Sequence, residues 1–117
     1  MNHNILAEKN TAILTVSDQD FTTTILQAPL LTIVDFWADW CPPCRALEPV
    51  LAQLAQHYAG KVRFARMNVE EQPQIPMRLS IQAMPTLVFF KDGQEVERII
   101  GAYPQKLKTA IEKLLAA

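Results

Sequence analysis

The sequence is poor in the residues that make tight turns, covalent staples and metal cages: its 117 residues include three glycines, two cysteines and two histidines. Two cysteines cannot build the disulfide framework that holds a small secreted domain together. Cys41, Cys44 and His57 fall at finger-like spacing, but no second histidine follows and His3 lies at the far end, so four zinc ligands cannot be assembled locally. A Gly-rich dinucleotide fingerprint is missing, and no bound cofactor or metal is expected. Charge of one sign is missing too. A net charge of -1 and a pI near 6.1 give no reason to expect nucleic acid or an anionic membrane as partner. No apolar run approaches the roughly 20 residues a bilayer-spanning helix needs. Met1 to Asn10 contains Glu8 and Lys9 and no continuous apolar core, so no secretory signal is visible and a cytoplasmic location is expected. In that compartment a lone Cys-x-x-Cys pair is more often catalytic or metal-binding than structural.

What is present is one core's worth of apolar sequence. Half of the residues are hydrophobic, and the chain is long enough for one domain but not two. Residues 1–10 read as an N-terminal extension and 11–117 as the domain. Thr11–Val16 is a short strand candidate. Ser17, three residues before Asp20, reads as the N-cap of a helix that turns Phe21, Ile25 and Leu26 inward, and Pro29 ends it. Leu30–Ala38 is apolar on both alternating faces except at Thr32 and Asp35, the pattern of a central strand covered on both sides. A helix follows with Leu47, Val50, Leu51, Leu54 and Tyr58 on one face, and Gly60 stops it. Val62–Val69 reads as a strand, and Glu70–Leu79, with Pro73 and Pro76, as an irregular helix and loop. Thr86–Phe90 and Val96–Ile100 flank Asp92-Gly93, a strong hairpin signal. Pro104 opens a last helix carrying Leu107, Ile111, Leu114 and Leu115 at helical spacing. The predicted order is β-α-β-α-β-α-β-β-α, an α/β domain with a parallel part and an antiparallel edge.

Both cysteines lie in Trp37-Ala38-Asp39-Trp40-Cys41-Pro42-Pro43-Cys44, where the buried strand becomes the helix. Residues one helical turn apart sit about 5–6 Å from each other at Cβ, within the roughly 4.4–6.8 Å Cα separation of a disulfide. Unpaired N–H groups and the positive end of the dipole favour a thiolate at a helix start, so Cys41 is the expected exposed, low-pKa nucleophile and Cys44 the resolving thiol. Pro42 and Pro43 suit the first turn, whose N–H groups have no intrahelical partner to lose. Pro49 removes the bond to the Arg45 carbonyl and is expected to kink the helix. Asp35 is a carboxylate in a buried run. Two readings stand: a salt bridge to Arg66, which alternation puts on the same strand face as Val62 and Phe64, or a proton acceptor for Cys44 whose pKa burial raises. Trp37, Met67 and Met77 read as packing residues, and His57 as solvated or capping.

Val34-Asp35-Phe36-Trp37-Ala38-Asp39-Trp40-Cys41 with Pro43-Cys44 resembles the active-site block of the thioredoxin family, and the resemblance extends over about the last hundred residues. Pro49 in the helix, Met84-Pro85-Thr86 at the family's cis-proline loop, Asp92-Gly93 and Gly101 occur in the family's order. The resemblance implies a thioredoxin fold: a mixed five-stranded sheet flanked by four helices. It also implies dithiol-disulfide exchange with protein substrates, electrons from a flavin- and NADPH-dependent thioredoxin reductase, and a monomer. Carried over residue by residue, it favours Asp35 as proton acceptor. Pro42, Pro43, Trp37, Arg66 and Pro85 then support the active site. Trp40, with Pro43, Met84, Pro85, Gly101 and Ala102, forms the substrate-binding platform.

Two positions depart from the family. Pro42-Pro43 replaces the usual Gly-Pro, a dipeptide that tunes redox poise, and Arg66 replaces the usual lysine near the aspartate. A permanently charged Arg66 is expected to pull the Asp35 pKa down more stubbornly than lysine would. Neither proline has an N–H, so Cys44 is the first residue able to donate one to a Cys41 thiolate. The expected activity is reduction of protein disulfides. The alternatives are an oxidant or isomerase, or a docking subunit that uses the same surface without turnover.

Overall fold

The computed structural model describes residues 13–117. The expected extension 1–10, and Thr11 and Ala12 of the first expected strand, lie outside the described residues. The elements are β1 Leu14–Thr15, α1 Thr22–Leu26, β2 Leu31–Trp37, α2 Pro42–His57, β3 Val62–Asn68, α3 Gln74–Arg78, β4 Thr86–Lys91, β5 Gln94–Ile100 and α4 Pro104–Ala116. This is the predicted order. Ser17, expected as the N-cap, lies ahead of α1, whose N-cap position is Phe21 with no side-chain bond; it closes the turn before the helix instead, where Ser17 N–H donates to Asp20 Oδ1 at 2.8 Å and Asp20 N–H to Ser17 Oγ at 3.2 Å. Past it the chain winds as one wide π-helical segment through Thr22, Thr23 and Thr24, a run of β-branched residues that are poor α-helix formers. α2 continues as helix through Pro49.

The strands form one sheet in the order β1-β3-β2-β4-β5. β3 runs parallel to β1 and β2, while β4 runs antiparallel to β2 and β5. The β4–β5 link has Asp92 at φ 54° and Gly93 at φ 79°, the pair of positive values that a two-residue type I′ hairpin turn requires.

Because side chains alternate along a strand, β2 feeds two cores. Leu31 and Ile33 point into one that also buries Leu47, Leu51 and Leu54 of α2 and Leu107 and Ile111 of α4. Val34 and Phe36 point into the other, with Phe21 and Ile25 around α1 and Ile75 of α3. Asp35 belongs by alternation to the first, under α2. It pairs in register with Arg66 on one side and Leu87 on the other. The fold therefore places a carboxylate in the middle of the sheet, beneath the helix that begins at the cysteines.

Candidate active site

The cysteine pair takes its geometry from the strand-to-helix change. Cys41 is the N-cap of α2, with extended dihedrals of φ -105° and ψ 99°, and Pro42 and Pro43 are the first two helical residues. The Cys44 N–H donates to Cys41 Sγ at 3.2 Å. Cys41 and Cys44 are joined by a disulfide, with their Cα atoms 5.3 Å apart. The expectation of an exposed Cys41 is corrected: in the oxidised form Cys41 is 2% exposed and Cys44 0%. The pair lies in a small apolar pocket with Ala38, against Trp37, Val69 and Met84. Tight packing closes both sulfurs, and what access there is lies at Cys41.

Met84 faces the pair. Its carbonyl oxygen sits 3.4 Å from Cys41 Sγ, and the Met84–Pro85 bond is cis, as the family loop implies. Pro85 itself is buried, and its carbonyl accepts the Gly101 N–H at 2.7 Å. Gly101 has φ 104°, and a Cβ there would lie 2.6 Å from the Tyr103 ring. The glycine thus lets the Tyr103 ring approach the backbone at this position. Met84, Gly101 and Ala102 are half-buried, while Pro42 and Pro43 are exposed. Trp40 is 62% exposed, yet its indole is held, because Nε1–H donates to Glu70 Oε2 at 3.1 Å. Glu70 is in turn positioned through its own N–H, which donates to Asn68 Oδ1 at 2.9 Å.

Beneath α2, Asp35 is both paired with Arg66 and buried. Arg66 Nε donates to Asp35 Oδ2 at 3.3 Å, and Arg66 Nη2 to Glu48 Oε2 at 3.1 Å. The guanidinium also lies over the Trp37 ring, 4.1 Å from its centroid, so Trp37 is half-buried and serves as a stacking face besides packing. Asp35 is 1% exposed, and its Oδ1 has no hydrogen-bond partner among the described residues. Burial pushes the Asp35 carboxyl up to about 6 against the pull of Arg66, with a further push from Glu48. The expected downward pull of Arg66 is present, and desolvation outweighs it.

Sequence reasoning missed Glu48, Glu70 and Tyr103. Glu48 carried one available signal, since it follows Cys44 by four residues and so shares its side of α2. His57 is exposed at the end of α2. Met67 is fully buried, whereas Met77, expected to pack, is 78% exposed. Among the described residues no group of three or more His, Cys, Asp or Glu side chains could hold a metal ion.

This geometry has close counterparts. A family model described as Thioredoxin matches residues 12–113. Thioredoxin 1 of Nostoc sp. is 41% identical over 101 residues, 86% of this chain and 94% of the relative. The thioredoxin of Synechocystis sp. is 42% identical over the same length and shares of the two chains. Among solved structures, Malassezia sympodialis thioredoxin superimposes with a TM-score of 0.80 at 39% identity, over 87% of this chain and 90% of that one.

Proposed function

The chain belongs to the thioredoxin family of thiol-disulfide oxidoreductases, and from that premise we propose how its own residues reduce a disulfide in a protein substrate. The reduced Cys41 thiolate attacks one sulfur of the substrate disulfide. A Cys41–substrate bond forms and the other substrate sulfur leaves as thiolate, to be protonated by solvent. Cys44 passes its proton to Asp35 and attacks Cys41 Sγ, which releases the second substrate thiolate and closes Cys41–Cys44. Two electrons move from the dithiol to the substrate. The reduced pair gives up one proton, that of Cys44, which reaches a substrate thiolate by way of Asp35, and the proton on the other substrate thiol comes from solvent.

The observation that carries this division of roles is the position of Cys41 at the extended N-cap of α2, with the Cys44 N–H on its sulfur. That donor and the helix dipole stabilise a thiolate at Cys41. Buried Cys44 has no such position, and it lies inside the first turn of α2. Trp40, Met84, Gly101 and Ala102 form the apolar surface for the substrate chain, Pro85 supports it from below, and the free Met84 backbone pairs with an extended segment.

Nothing bound to the chain supplies electrons in this reading; an NADPH-dependent thioredoxin reductase restores the dithiol, and the protein acts as a monomer in the cytosol. No helix among the described residues is long and apolar enough to cross a membrane. Relatives with chloroplastic names also occur, such as thioredoxin M2 of Arabidopsis thaliana, 38% identical, of whose length this chain spans 59%.

The test is insulin reduction driven by NADPH and a thioredoxin reductase. Wild type turns over, and Cys41→Ser does not. Cys44→Ser accumulates a mixed disulfide on Cys41. Accumulation on Cys44 in the Cys41 variant, with faster alkylation of Cys44 than of Cys41 in the reduced protein, would reverse the roles.

A further inference from the structure

Arg66 spends one edge of its guanidinium on two carboxylates. Nε–H and Nη2–H point the same way and together match both oxygens of a single carboxylate, the bidentate arrangement arginine favours. Here Nε reaches Asp35 Oδ2 at 3.3 Å, Nη2 is taken by Glu48 at 3.1 Å, and the second Asp35 oxygen, Oδ1, is left buried and unpartnered among the described residues. The Trp37 ring under the guanidinium, 4.1 Å away, holds its plane in this split pose. We propose that Glu48 is a positioning residue for the resolving step: by holding Nη2 of Arg66 it prevents a bidentate Asp35–Arg66 pair and keeps Asp35 Oδ1 open to receive the Cys44 proton.

This proposal rests on Asp35 being the acceptor in the reaction above. The chemical logic is one of competition. A carboxylate gripped at both oxygens by a permanent cation is a poor base, whereas one gripped once at long range, in a dry site, is a much better one. The surroundings contain few other charges. Arg66 faces Asp35 from β3 and Glu48 from α2, while Leu87 beside it on β4 and Leu107, Ala110 and Ile111 from α4 are apolar. Cys44 titrates only when reduced. Glu48 is 46% exposed, so replacing it disturbs no core packing.

The experiment is a carboxyl-carbon NMR titration of Asp35 in the oxidised full-length protein, where neither cysteine titrates, in wild type, Glu48→Ala and Glu48→Asp. Freed from Glu48, Arg66 closes on Asp35, and the Asp35 midpoint falls by about half to one pH unit in Glu48→Ala. Glu48→Asp keeps the charge but is one methylene too short to hold Nη2, and it should fall nearly as far. An unmoved midpoint in Glu48→Ala overturns the proposal. So does a shift in Glu48→Ala alone, which would mean that Glu48 acts only through its field. A second readout separates this inference from the mechanism: stopped-flow release of thionitrobenzoate from the Cys41 mixed disulfide, followed against pH. The acid limb should move with the midpoint. A midpoint that falls while the limb stays fixed supports the Glu48–Arg66 competition and removes Asp35 from the proton-transfer step.

Discussion

The two faces of β2 do different things with the same strand. On the side of α1 and α3, Val34 and Phe36 are wholly buried among apolar neighbours. On the side of α2 and α4, Ile33 is equally buried, but the next residue on that face is Asp35, with one long bond to Arg66 and an oxygen left bare. The first face only holds the fold together. The second gives up stability to keep a carboxylate in a dry place under the cysteine helix. Substitutions at neighbouring positions should therefore act in opposite directions on stability, and only those on the second face should alter the chemistry.

The largest effect is expected on the apolar face. Phe36→Ala leaves a cavity in a fully buried site and should cost about 3–5 kcal/mol of unfolding free energy, while turnover per folded molecule in the insulin assay stays near wild type. A matching loss of specific activity would mean that the faces are not separable. Asp35→Asn should do the reverse. Folded Asp35 holds its proton up to about 6, against 3.8 for an ordinary aspartate, so protonation favours the folded state. The wild type then loses stability as pH rises from about 4 through about 6, by up to about 3 kcal/mol. Asparagine does not ionise and escapes that loss, but resolution of the mixed disulfide slows.

Two smaller effects lie at the rim. The Cys44 N–H is the first donor after Cys41 because Pro42 and Pro43 have none, and fewer donors stabilise the reduced form less. Equilibration with glutathione should place the couple near the value characteristic of thioredoxins, about -270 mV, and Pro42→Gly should leave it unchanged or slightly more oxidising. A wild-type midpoint above about -200 mV would favour the oxidant or isomerase alternative. Glu70→Gln weakens the bond that orients exposed Trp40. Losing about 0.5–1 kcal/mol should raise KM for insulin two- to fivefold with kcat unchanged, and a change in kcat alone would place Glu70 in the chemistry.

Period and punctuation made most of the fold legible. Alternation across Leu31–Trp37 and helical spacing from Leu47 to Leu54 are strong because those residues are buried, and Asp92-Gly93 names its own turn. β5 begins earlier than its apolar run, at Gln94, because an edge strand with an exposed start has no hydrophobic pattern there. α3 is only five residues long, too short for periodicity to show that Met77 faces outward. At the site, the cysteines and Asp35 stand out as types: a spaced pair, and a charge where none is affordable without a purpose. Glu48 and Glu70 do not. Each is an ordinary surface glutamate until tertiary packing brings it to Arg66 or Trp40, and no local pattern records such a pairing.

The separation of stability from chemistry at β2 is tested most directly by the unfolding free energy of oxidised wild type and Asp35→Asn, measured from pH 3 to pH 8. The two curves should meet near pH 3–4, part as pH rises from about 4 and run parallel above about 6, with the variant more stable on the neutral side. A variant less stable than wild type across the whole range would mean that the Asp35–Arg66 pair holds the fold together, and would contradict the account.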